Sequence, residues 1–77
     1  MDPLVSFGRV LRQLRKKAGL TQEQLALAAG IERNYVSLIE RGINQPALKV
    51  IFKLAEALGI RPSEMLLLVE AELKGAS

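Results

Sequence analysis

The chain has 77 residues, 49% of them hydrophobic, and its 11 Lys/Arg against 8 Asp/Glu give a net charge of +3. That length predicts one domain near the lower limit for a self-supporting core, hiding only about 60–65% of its unfolded surface. With neither Cys nor His in the sequence, disulfides are excluded, and no metal, cofactor or enzymatic turnover is expected.

The first predicted helix covers residues 3–18. Phe7, Val10, Leu11, Leu14 and Ala18 recur at the three- and four-residue spacing of an amphipathic stripe. Asp2-Pro3 supplies an N-cap and a proline at the first helical position, with Ser6 as an alternative start, and Gly19 ends the helix. The start, MDPLVSFG, lacks a basic segment followed by an apolar run, so it does not read as a secretory signal. No apolar run approaches the roughly 20 residues of a membrane span. A cytoplasmic location without membrane contact is expected.

The second helix is predicted over 22–29. Thr21 and Gln24 form a capping-box pair, and Gln22 sits in the first turn, where its amide can face a phosphate. Gly30 permits the positive φ of a sharp turn, and the third helix follows over 33–41. Leu25, Ala26, Ala29, Ile31, Val36 and Ile39 are the positions such a crossed pair must bury, with Ala26 small enough for close crossing; Leu27 and Ala28 fall off that face. The polar positions left on the third helix, Arg33, Asn34, Ser37 and Arg41, carry donors and acceptors suited to base edges. The stretch 21–42 is thus a helix-turn-helix signature.

A loop at 42–46 leads to a fourth helix over 47–58, striped by Leu48, Ile51, Leu54, Ala55 and Leu58, with Val50 and Phe52 off the stripe. Ile60 is expected to pack back after Gly59. The fifth helix covers 62–73, and its run Met65–Val69 is apolar all round. With Leu66, Val69 and Leu73 facing inward, Met65 and Leu68 point elsewhere, with Leu67 between. Such a run is either a greasy core helix or a dimer seam. The seam is preferred because so dense an exposed apolar patch invites association, and Met65, Leu67 and Leu68 are its candidate residues. Residues 74–77 read as a loose tail.

Charge is unevenly placed. Arg9, Arg12, Arg15, Lys16 and Lys17 crowd the first helix, while Glu64, Glu70 and Glu72 lie near the end. The pattern suits a surface meeting polyanion on one side, or simply a solvated helix face. Arg12 and Lys16 read as solvated charges.

The helix order and the residues TQEQLALAAGI and VSLIERG resemble the lambda/434 repressor and Cro-like (XRE-type) helix-turn-helix family, over about residues 7–68. The length and the segment IERNYVSLIERGINQPALKVIFKLAEALGI look most like controller proteins of restriction–modification systems, small dimeric regulators of transcription. The resemblance implies an all-α, five-helix lambda-repressor-like fold in a single domain, with the third helix in the DNA major groove. Arg33, Asn34 and Ser37 would approach bases. Gln22, Tyr35, Leu38, Arg41, Asn44, Gln45 and Lys49 would make phosphate or mixed contacts. Arg15 and Glu40 would form a structural ion pair.

Double-stranded DNA, a second copy of the chain and RNA polymerase are the expected partners, with Glu23 and Glu32 as candidate polymerase contacts. Two departures weaken the case for phosphate contacts from the loop: Ile43 stands where many such sequences carry a basic residue, and Ala47 where they carry a hydroxyl. A stand-alone phage or bacterial repressor of the same fold is the nearest alternative. A protein-interaction, antitoxin-like module is a further one, against which the polar third helix argues.

Overall fold

The computed structural model describes residues 2–75. Among them the chain forms α1 (Pro3–Lys17), α2 (Gln22–Ala29), α3 (Arg33–Glu40), α4 (Leu48–Leu58) and α5 (Pro62–Gly75), the all-α architecture expected.

Local chemistry explains where the helices begin and turn. The Asp2 carboxylate accepts from the Leu4 N–H and Pro3 opens α1, so the helix starts before Ser6, which is fully buried within it. The capping box of α2 is complete: Thr21 Oγ1 accepts from the Gln24 N–H at 3.1 Å, and Gln24 Oε1 accepts from the Thr21 N–H at 2.9 Å. Gly30 takes φ +70°, ψ +35°, and its N–H returns to the Ala26 and Leu27 carbonyls. Helix α3 follows after two residues, with no side-chain cap from Glu32. Helix α4 likewise has no side-chain cap at Ala47.

One core joins all five helices. Helix α1 lies against α3 and α5, α2 against α3 and α4, and α4 against α5. Leu11, Leu25, Val36, Ile39, Leu54 and Met65 are fully buried, and each large apolar side chain of this kind contributes about 1.5–3 kcal/mol by leaving water. Where α1 crosses the end of α3, Gly8 leaves no room for a side chain. A Cβ there would stand 2.5 Å from the Ile39 carbonyl oxygen and 2.7 Å from that of Glu40.

Several expectations are corrected. Met65 is buried and Leu66 is 42% exposed, the reverse of the expected inward set. The inward stripe of α5 runs Met65, Val69, Leu73, at successive four-residue steps. A run without a polar residue carries no mark of its own phase. Met65 therefore belongs to the core and not to a seam between copies. Leu48 is 68% exposed because α4 buries its second half, at Leu54 and Ala55. Ala18 is exposed because α1 ends at Lys17 and the chain turns away. Lys74 and Gly75 continue α5 instead of starting a tail; the remainder of that expected tail, residues 76–77, lies outside the described residues. No helix among the described residues is long and apolar enough to cross a membrane.

Candidate nucleic-acid interface

Helix α3 has two unlike sides. Val36 and Ile39 are buried against the core, and Glu40 is buried with them. Arg33 and Asn34 are exposed, Ser37 is half-buried one turn on, and Arg41 is exposed at the C-cap. Arg33, Ser37 and Arg41 stand four residues apart, so they line one edge of the helix. Tyr35 and Leu38 are half-buried beside that edge, and Tyr35 packs on the core. Arg41 folds back along its own helix, its Nε donating to the Ser37 carbonyl at 3.4 Å.

The segment after α3 is held by its backbone. The N–H groups of Ile43 and Asn44 both donate to the Leu38 carbonyl, at 2.9 and 3.3 Å. Pro46 is buried, which leaves the side chains of Asn44 and Gln45 exposed just ahead of Lys49, itself exposed in the first turn of α4. Hydrogen-bonding side chains are therefore exposed along the segment that follows α3.

A buried polar cluster underlies this surface. Arg15 Nε donates to Glu40 Oε2 at 2.7 Å, and Arg15 Nη2 donates to Glu40 Oε1 at 3.1 Å. Arg15 Nη1 donates to the Leu20 carbonyl at 2.9 Å, at the entry to α2. Gln22 Nε2 completes the cluster on Glu40 Oε1 at 3.1 Å. The side chains of Arg15 and Glu40 are only 11% and 3% exposed. Glu40's hydrogen bond raises the Arg15 pKa above the ordinary guanidinium value, against the opposing effect of burial. A raised arginine pKa keeps the guanidinium charged through neutral pH, so on the alkaline side this contribution to stability is lost as the pH rises through strong alkali. Gln22, read from sequence as facing phosphate, is thus also anchored inward, a link between residues 18 positions apart that no local pattern could reveal.

The crowding of cations on α1 is partly used within the fold. Arg15 is spent on Glu40, and Arg9 Nε lies 3.1 Å from Glu72 Oε1 on α5. Arg12, Lys16 and Lys17 remain exposed. Among the described residues no group of three or more Asp or Glu side chains could hold a metal ion.

A helix-turn-helix family profile matches residues 11–65, from the middle of α1 into α5. The control protein C.BamHI of Bacillus amyloliquefaciens is 41% identical over 61 residues, covering 78% of this chain and 75% of its own. The control protein C.MunI of a Mycoplasma species is 38% identical over 72 residues, covering 92% and 97%. The crystal structure of the restriction–modification controller protein C.AhdI from Aeromonas hydrophila superposes with a TM-score of 0.79 at 50% identity, over 80% of this chain and 94% of that one. These relatives are regulators, not enzymes. The crossed α2–α3 pair, its glycine turn and the outward polar edge of α3 are the parts such a regulator requires, and the chain belongs to the XRE-type helix-turn-helix family of transcription regulators.

Proposed function

We propose that the protein is a restriction–modification controller that binds a near-palindromic operator as a homodimer. The observation that carries this reading is the edge of α3, where Arg33, Asn34 and Ser37 project from a helix whose other side is locked in the core. In the proposal this edge enters the major groove. Arg33 pairs with guanine O6 and N7, a contact worth ~1–3 kcal/mol of discrimination. Gln22, Arg41, Asn44, Gln45 and Lys49 meet phosphates, and Tyr35 and Leu38 pack beside the bases. The similarity to C.BamHI, C.MunI and C.AhdI supports the controller role. Glu23 and Glu32, both exposed, offer carboxylates to RNA polymerase in the same reading.

The homodimer is supported by α5, which leaves Leu66, Leu67 and Leu68 exposed at 42%, 61% and 44%. Leu67 and Leu68 remain the seam residues of the proposal, with Leu66 in place of Met65. Two recognition helices about one DNA turn (~34 Å) apart would then read two half-sites. Placing a carboxylate at the seam tests this directly. Leu68→Glu should sediment as a monomer at micromolar concentration where the wild type is dimeric, and a dimeric variant contradicts the seam.

Titration of a labelled pool of random duplexes tests DNA binding itself. Affinity should fall steeply with salt, because each phosphate contact releases bound counterions. No retention even at low salt favours the protein-interaction reading of this fold instead.

A further inference from the structure

We infer that Glu40, working through the amide of Gln22, is a positioning residue for the DNA-binding surface; the inference rests on the DNA-binding reading above. Glu40 is the last residue of α3 and Gln22 the first of α2, so their 3.1 Å hydrogen bond ties the end of one helix to the start of the other. A carboxylate only accepts, so the Gln22 amide must turn its NH2 toward Glu40, which fixes the orientation of the whole group. One N–H is spent on Glu40 Oε1; the second N–H and the carbonyl oxygen remain available from half-buried Gln22.

Glu40 cannot swing away, because Arg15 grips both of its oxygens, and Arg15 is itself held by the Leu20 carbonyl one residue before the α2 cap. The ion pair therefore reaches the protein surface through one side chain. A glutamine held in a single orientation loses less rotamer freedom on meeting a phosphate than one that is free to turn.

The test separates this role from simple support of the fold. Arg15→Met with Glu40→Leu removes both charges together, leaves the net charge unchanged, and is expected to fold because an apolar pair can replace a buried ion pair. Gln22→Ala is expected to weaken binding to duplex DNA by at least about tenfold, the lower end of the scale for one hydrogen bond to a charged group. The Met/Leu pair should weaken it by a similar factor, and adding Gln22→Ala to that pair should cost nothing further.

Glu40→Asp repeats the cycle with the charge retained and the carboxylate drawn back from Gln22. In the free wild-type protein the two side-chain NH2 protons of Gln22 should resonate apart from those of the other glutamines, and in either variant they should join them. A folded variant that binds as tightly as wild type, or losses that multiply with Gln22→Ala, overturns the inference. So do NH2 signals unmoved by the substitutions. If the wild type retains no DNA, the DNA-binding reading fails instead, and the NH2 signals still decide whether Glu40 orients Gln22.

Discussion

Glu40→Ala should destabilise the protein by about 3–5 kcal/mol, the usual cost of stranding one partner of a buried ion pair. Arg15 would keep its charge beside a truncated side chain, with only its Leu20 carbonyl contact left, and Gln22 would lose its acceptor. Solvent cannot compensate easily, since the Arg15 side chain is 11% exposed. For a chain of this length total stability is on the order of 4–12 kcal/mol, so the loss is a large share of it. Thermal unfolding followed by circular dichroism should show a midpoint lower by roughly 15–30 °C. An unchanged midpoint would sink the account of the ion pair. Arg15→Met combined with Glu40→Leu should cost far less, because no charge is left unpaired.

Gly8→Ala should also destabilise, although alanine in a helix interior is normally better than glycine by about 1 kcal/mol. Here the added methyl would lie 2.5 Å and 2.7 Å from two backbone carbonyl oxygens of α3, and 3.0 Å from the Glu40 carbonyl carbon. Backbone atoms cannot rotate aside, so α1 and α3 must separate, at an overpacking cost of typically 1–3 kcal/mol and occasionally more. The same separation draws Arg15 away from Glu40. We expect the overpacking to exceed the propensity gain, leaving a net loss of up to about 2 kcal/mol. Urea denaturation should give a lower midpoint with little change in slope. A midpoint that rises would mean that α1 and α3 do not cross at Gly8.

These two residues differ in how far the sequence alone exposes them. Glu40 stands out as a charge inside an apolar stretch, while Gly8 carries only a weak signal: a glycine in the middle of a strong helical stripe, which costs stability unless something passes close by. Helical spacing does not say what passes there, and Ser6, fully buried two residues earlier, carries no sequence signal of its burial. Helix ends were legible because caps are local. Thr21 with Gln24, Asp2 with Pro3 and Gly30 act within four residues of themselves.

The phase of α5 was not legible, since Met65–Val69 is apolar in every direction and only packing on α1 and α4 selects Met65 over Leu66. At the candidate interface, the polar edge of α3 follows directly from helical spacing. The anchoring of Gln22 on Glu40 and of Arg9 beside Glu72 does not, because both join distant parts of the chain.

In the proposed function the outward edge of α3 reads DNA sequence from a symmetric pair of protomers. Selection of binding sites from random duplex DNA, with wild type and Arg33→Ala in parallel, tests it most directly. Wild type should enrich an inverted repeat with half-sites about one helical turn apart, and Arg33→Ala should relax one guanine position of it. DNA retained without any enriched motif, or the same motif undiminished in Arg33→Ala, would contradict it.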